Sequence, residues 1–483
     1  MLINEPLIFE IGSEGRSAYS LPDTDVPDTD IKDILPEEML REDISGFPEV
    51  SEADVVRHFT RLSRLNYNVD HGFYPLGSCT MKYNPKINED VARLPGFSMI
   101  HPYQPPEISQ GILKLMYELE LYLAEISGMD RISLQPAAGA QGELAGMLMI
   151  RAYHTLRGDP RKKVILPDSS HGTNPASVSL CGYRAIEIKS DKRGLIDPKK
   201  LRQIMDEDVA ALMLTNPNTL GLFEKDILEI TGIVHDKGGL VYCDGANLNA
   251  LLGIARLGDM GIDVLHFNLH KTFSTPHGGG GPGAGPIGIK DVLSDFLPVP
   301  VIKKEDDSYQ LNYNVLHSIG KVKAFYGNIG VLIKAYAYIR TMGADGLRRV
   351  SEVAVINANY IRNRLKDFYD IPYNSHCMHE CVLSDKIQGK HGITALDIAK
   401  SLIDYGFHPP TIYFPLIVKG AMMIEPTETE PKETLDRFIE AMIDIAMRAE
   451  DDPESLRHAP STTKVGRLDE VRAARKPNLR WRV

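Results

Sequence analysis

Between about residue 130 and residue 290, short apolar runs alternate with amphipathic stretches, and this alternation constrains the fold more than any other feature. The runs are VILP (164–167), AIEI (185–188), ALMLT (211–215), LVYC (240–243) and VLHF (264–267), with helical stretches such as DILEITGIVHDKG (226–238) between them. Strand, helix, strand at this spacing implies right-handed crossovers and parallel neighbours. Strands covered on both faces read as continuous apolar runs, as these do. The expectation is an α/β protein whose large domain is built on a mainly parallel sheet.

The flanks have a different character. Residues 1–50 are rich in Pro and Asp and lack periodicity, yet carry Ile31, Ile34, Leu35, Met39 and Leu40. They read as an arm laid on another surface. Ser51-x-x-Asp54 marks a helix start, with Val55, Phe59 and Leu62 on one face. HGFYPLGSCTMKYNP (71–85) reads as an ordered loop and 108–126 as a second helix. After about residue 320 come two long helical stretches, 323–343 and 346–365, then mixed elements to about 448 that suggest a smaller α+β domain. The expected division is 1–60 for arm and first helix, 61–320 for the large domain, 321–450 for the small domain and 451–483 for a basic tail. The last 20 residues hold seven Lys and Arg and the only tryptophan, Trp481. A solvated tail and an interface segment both fit that composition.

Charge and composition exclude several classes. With 54 Lys+Arg against 65 Asp+Glu, the net charge of -11 argues against a protein that coats nucleic acid. No apolar run approaches the ~20 residues of a membrane-spanning helix. The opening MLINEPLIFEIGSEGRS carries acidic residues where a signal peptide carries basic ones. The five cysteines (79, 181, 243, 377, 381) are scattered, which fits a reducing compartment better than a disulfide framework. A cytoplasmic protein is expected.

In an open parallel sheet, ligands bind beyond the carboxyl ends of the strands. The residues that follow these strands are Asp168 with His171, Asn216, Asp244, and His270 with Lys271. Any one of them is an ordinary polar turn residue; four such ends on one edge point to a site. Lys271 ends a buried strand beside the Gly-rich turn HGGGGPGAG (277–285), and a lysine sheltered from water can attack a carbonyl to form a Schiff base. Asp244 lies one helix and one strand earlier. A carboxylate opposite such a lysine is what pyridoxal phosphate (PLP) needs, because it keeps the pyridine nitrogen protonated. Ala138, Gly139 and Ala140 lead into a helix whose N-terminal N–H groups suit the phosphate. His171 is the candidate for a flat partner to the ring.

Competing motifs fail on context. Gly278-x-Gly280-x-x-Gly283 and Gly283-x-Gly285-x-x-Gly288 lie outside any strand–helix turn, so they do not mark a dinucleotide site. HGGG (277–280) has no accompanying G-x-S-x-G elbow. HCMHEC (376–381) matches no standard zinc spacing and runs into a strand pattern, so no metal is assigned.

LGSCTMKYNP (76–85), GAQGELAG (139–146), SSHGTNPAS (169–177), YCDGANLNA (242–250) and NLHKTFSTPHGGGGPG (268–283) together resemble the P-protein family of the glycine cleavage system. DYGFHPPT (404–411) and MIEPTETE (423–430) extend the likeness, which runs from about 60 to 430. The chain is similar to the lysine-bearing C-terminal half of the fused members, the half that forms subunit 2 where the family is split. The resemblance implies a type I PLP fold. It also implies decarboxylation of glycine and transfer of the aminomethyl group to the lipoyl arm of H-protein. It makes Lys271 the Schiff-base lysine, Asp244 the partner of the pyridine nitrogen and His171 the stacked ring. Ala138, Gly139 and Ala140 fall at the phosphate, with Asn216 and His270 also against the cofactor. A separate subunit 1, in an α2β2 assembly, is expected. One departure is Ala138, where the family often has Ser, so backbone donors carry more of the phosphate contact. Lys82, His101 and Ser78 are candidates for the substrate carboxylate, and the sequence does not choose among them. Another type I PLP enzyme, an aminotransferase or a sulfur-transferring lyase, would share the lysine and the aspartate.

Overall fold

The computed structural model describes residues 5–17, 22–41, 44, 46–279 and 283–480. The chain divides into two compact units, Gly72–Arg467 and a smaller one joining Met1–His71 to Leu468–Val483.

The larger unit is built on a seven-stranded sheet. Its strands are β1 (Arg131–Ser133), β2 (Lys163–Pro167), β3 (Arg184–Ile188), β4 (Val209–Thr215), β5 (Leu240–Gly245), β6 (Val264–Phe267) and β7 (Ile287–Ile289). Across the sheet the order is β1-β7-β6-β5-β4-β2-β3. The five apolar runs read from the sequence are β2 to β6, and every pairing among them is parallel. Only β7 runs against its neighbours. All residues of β4, β5 and β6 are buried. Their apolar side chains remove the sheet's centre from water, which supplies the main driving force for this layer.

The helix Gly139–Leu156 packs unusually close to the sheet because it carries glycine where it crosses the strands. A Cβ on Gly142 would lie 2.8 Å from Gly285 O and 2.9 Å from His266 Cβ. On Gly146 it would strike the Tyr242 ring and come within 2.9 Å of Val264. This close approach brings the helix N-terminus over the ends of β6 and β7.

A hairpin of β8 (Val301–Glu305) and β9 (Ser308–Asn312) follows. The long helical region starts at Ile329, six residues later than its pattern suggests, and runs to Leu365. Gly343, at φ 63°, breaks it into the two stretches expected from the sequence. A second, antiparallel sheet of β10 (Cys381–Ser384), β11 (Thr411–Ile412) and β12 (Ala421–Ile424) has the order β10-β12-β11. It has its own core, including Phe73, Leu383, Ile398, Met422, Phe438 and Ile445. HCMHEC runs directly into β10, as its pattern indicated. Arg467, counted above with the basic tail, pairs with Asp397 at 2.7 Å.

In the smaller unit the expected capping box forms: Ser51 Oγ accepts from Asp54 N at 3.2 Å and Asp54 accepts from Ser51 N at 3.0 Å. The expected apolar face of this helix, Glu52–Ser63, is not sequestered. Phe59 is 54% exposed, and the buried residue is His58, whose Nδ1 lies 2.8 Å from Glu5. Ile31, Ile34 and Met39 of the arm are also exposed. Trp481 lies outside the described residues. No helix among the described residues is long and apolar enough to cross a membrane.

Gly146→Val forces a side chain into the Tyr242–Val264 contact. It should cost about 1–3 kcal/mol of stability, read as a lowered midpoint of urea unfolding relative to the wild type.

Candidate active site

Parallel register sets the first part of the site. Asp244 near the end of β5 pairs in register with His266 of β6, so both side chains leave the sheet on one side. His266 Nε2 sits 3.1 Å from Asp244 Oδ1, and His266 Nδ1 sits 2.8 Å from the Tyr242 hydroxyl. Asn174 Nδ2 donates to Asp244 Oδ2 at 3.1 Å, and the Ala246 N–H donates to Oδ1 at 2.9 Å. Burial alone would raise the Asp244 carboxyl. The charge and hydrogen bond of His266, the charge of Lys271 and the Asn174 contact outweigh it and hold the group well below the usual carboxylate range. Burial pulls His266 down, but Asp244 and Glu143 overcome it, so His266 is raised.

Lys271 stands on the one-turn helix Leu269–Thr272 that follows β6, and it is half-buried. Its charge acts on Asp244, Cys79, His277, His379, Glu380 and Glu425, so these groups lie within its electrostatic reach. His270 beside it is buried; it accepts weakly from Ala284 N–H at 3.4 Å and meets the His277 ring edge to face at 5.0 Å. Burial, with His277 and Lys271, pushes His270 down to about 3, so its ring is neutral.

Ala138 caps the Gly139–Leu156 helix in extended conformation and offers no side-chain cap. The first N–H groups of a helix have no intrahelical acceptor, so those of Gly139 and Ala140 face outward at this end. Gly139 lies against Asn268, where a Cβ would collide with the amide. Asn216, just beyond β4, accepts from Glu224 N at 3.0 Å and is buried. His171 is exposed, with Nδ1 2.9 Å from Thr173 Oγ1 and its ring edge on to Phe414 at 5.8 Å. The Thr173 hydroxyl donates in turn to buried Glu143 at 2.7 Å. Asp168, also at a strand end, instead accepts from Ser190 N–H and hydroxyl at 3.1 and 2.6 Å.

The loop 76–85 and the second sheet close the pocket from the other side. Lys82 is 2% exposed, and its three donors are taken by Asn249 at 2.9 Å, Glu428 at 2.9 Å and Tyr338 at 3.3 Å. Ser78 gives its N–H to Glu380 at 2.8 Å and its hydroxyl to the Met423 sulfur at 3.3 Å. His101 is held in a local turn, accepting from Tyr103 N–H at 3.1 Å, with Phe325 against its ring.

Sequence reasoning missed His266, Asn174, Glu143, His277 and the pair Glu380 and Glu425. The available signals were polar residues inside or abutting apolar strands: His in VLHF, and Glu on either side of the β10–β12 pairing. Several buried polar atoms here lack a hydrogen-bond partner: Asn216 Nδ2, Asn268 Nδ2, Asn174 Oδ1, Thr272 Oγ1, Thr275 Oγ1 and His277 Nε2. Buried polar groups are normally satisfied. Of these, Asn268, Thr272, Thr275 and His277 lie within six residues of Lys271 in the chain, and unsatisfied polar groups beside a half-buried lysine make a candidate polar ligand site.

Comparison with known proteins agrees in direction. The family profile described as glycine cleavage system P-protein matches residues 19–316, and that of the glycine dehydrogenase C-terminal domain matches 350–460. A probable glycine dehydrogenase (decarboxylating) subunit 2 from Caldanaerobacter subterraneus subsp. tengcongensis is 62% identical, over 98% of each chain. Among solved structures, a glycine decarboxylase (P-protein) in inhibitor-bound form superposes with TM-score 0.73 at 21% identity, covering 86% of this chain and 94% of that one. A NifS-like protein superposes with TM-score 0.61 at 15% identity, covering 78% and 99%. The architecture is the type I fold of PLP-dependent transferases, with a mainly parallel large sheet and a smaller C-terminal α+β layer. By length, identity and colinear motifs, the chain belongs to the P-protein family of the glycine cleavage system, in its subunit 2 branch.

Proposed function

We propose that this chain decarboxylates glycine using PLP at Lys271 and transfers the aminomethyl group to the lipoyl arm of H-protein, working with a separate subunit 1. The observation that carries the reading is the placement of Lys271 just beyond β6, where its charge acts on the buried, ionised Asp244 near the end of the neighbouring strand β5. The unsatisfied amide and hydroxyl groups of Asn216, Asn268 and Thr272, and the backbone cradle at Gly139, fit a polar, phosphate-bearing ring. When bound, PLP supplies an electron sink for the bond that breaks as carbon dioxide leaves.

The chain's own residues do the rest. Lys271 anchors the cofactor aldehyde. The ionised Asp244, locked by His266 and Asn174, holds a proton on the ring nitrogen. The Gly139 and Ala140 N–H groups bind the phosphate at the positive end of a helix dipole, and Ala138, lacking a hydroxyl, leaves this to the backbone. His171 covers the ring face, while Asn216 and neutral His270 line the pocket. The second sheet shields the site from water, so a charge formed there meets fixed dipoles and not bulk solvent. On this reading residues 61–320 are the cofactor domain and 321–450 the small domain. Segments 1–60 and 451–483, with the exposed Ile31, Ile34 and Met39, are those that meet subunit 1 in an α2β2 assembly. A cytoplasmic location goes with it.

Lys271→Ala should abolish the PLP absorbance band and glycine decarboxylation while circular dichroism stays native; borohydride reduction of PLP onto another lysine would refute the assignment. Asp244→Asn should retain some PLP and lose about a hundredfold or more in turnover, tenfold for each ~1.4 kcal/mol of lost stabilisation. The same change removes the partner that raises His266. The raised His266 contributes stability that is full below its ordinary value of 6.5 and fades as pH rises through its folded value. In Asp244→Asn the His266 ring resonance should therefore titrate at lower pH than in the wild type. Finally, the isolated chain should show little glycine–bicarbonate exchange. Subunit 1 and lipoylated H-protein should restore it, with light scattering reporting four chains.

A further inference from the structure

Glu380 and Glu425 form a second charged centre that the reading above does not use. Glu380 immediately precedes β10 and Glu425 immediately follows β12. Because Cys381 pairs with Ile424, the two glutamates occupy the next cross-strand position. Both are fully buried, and their oxygens lie within 4.8 Å of each other and of His379. His379 is also fully buried, sits 3.8 Å from Glu425 and 3.9 Å from Glu380, and has no partner on either ring nitrogen. The carboxylates are held in place by the Ser78 N–H at 2.8 Å, the Thr80 N–H at 2.9 Å and the Thr80 hydroxyl at 2.6 Å.

A count of charges from every side leaves the pair one proton short. From the 76–85 loop, the Cys79 thiol is pushed up to about 11 by burial and is neutral. Lys82 on the same loop is paired with Glu428, and its charge has only a lesser effect on Glu425, smaller than that of Lys271. Asn247 offers only an amide, 3.5 Å from Glu380. Burial and the Lys271 charge push His379 down to about 3, so it is neutral as well. Lys271 is the remaining cation acting on both glutamates. Two like charges this close, away from water, do not both ionise against a single cation. Burial accordingly raises both groups, Glu425 to about 7.

We propose that Glu380 and Glu425 share one proton while Lys271 is charged, and that the remaining carboxylate takes a second proton from Lys271 when the lysine loses its charge and returns it afterwards. This rests on the role given to Lys271 above. When the lysine amine is released uncharged, a carboxyl O–H bond breaks, its electron pair stays on oxygen, and the proton bonds to the nitrogen lone pair. The total charge of carboxyl and amine is the same before and after. The pair acts on the reaction through Lys271, as a positioning group for its proton.

Difference infrared spectra test this without turnover. Subtracting Glu425→Gln or Glu380→Gln from wild type isolates the protonated-carboxyl C=O stretch from other buried acids. A shared proton predicts that either single substitution removes the band at neutral pH, since the remaining glutamate then pairs with Lys271. Lys271→Met should move its titration midpoint up by about 1–3 pH units. No band in wild type at neutral pH, an unmoved midpoint in Lys271→Met, or one retained divalent cation per chain would each overturn the proposal. If one glutamine variant fails to fold, the other and Lys271→Met carry the comparison. An absorbance titration with PLP separates the two readings. PLP bound elsewhere defeats the role of Lys271, whereas a missing band with PLP on Lys271 defeats the proton pair alone.

Discussion

The Asp244–His266 contact is the interaction on which the large sheet's functional edge depends. An ion pair in a dry layer is costly unless its remaining valences are met. Here Asn174, the Ala246 N–H and the Tyr242 hydroxyl meet them. The arrangement exists because β5 and β6 are parallel and in register, which puts the two side chains on the same side at 3.1 Å. The helix that covers them must come close, and Gly142 removes the side chain that would otherwise strike His266. Packing and electrostatics are therefore one constraint: the glycines that let the helix settle also bring its N-terminus to the pocket.

The second sheet supplies opposite chemistry. The large sheet presents an aspartate fixed in its ionised form. The small sheet presents two glutamates whose burial resists ionisation. The difference is one of partners: Asp244 has at hydrogen-bond distance a buried histidine that it raises toward its charged form, while Glu380 and Glu425 have backbone N–H groups and a neutral histidine. Lys271 lies in the field of both. A pocket with a fixed anion on one wall and a titratable pair on the other can accept a change in the lysine's charge without exposing it to water.

The sequence by itself determined that β2 to β6 are strands of a parallel sheet, because fully buried parallel strands must read as continuous apolar runs, while the order in which they lie across the sheet came from the structure. It also determined the strand-end residues Asn216, Asp244 and Lys271, and the small-residue entry to the helix at 138–140. These are local properties: a run, its end and the turn that follows. The helix cap at Ser51 was legible for the same reason.

What only the tertiary structure decided was which groups meet. His266 hid inside an apolar run, and its partner lies on a neighbouring strand 22 residues earlier in the chain. Glu380 and Glu425 are 45 residues apart and become neighbours only through antiparallel register. Lys82 looked free to bind a ligand, yet its donors are spent on groups 167, 256 and 346 residues away. Asp168 ended a strand like the others but is spent on Ser190, just beyond the neighbouring strand β3. Charge state depends on burial and on partners distant in sequence. Residue type and spacing locate the edge of the site, and the long-range contacts set what each group there can do.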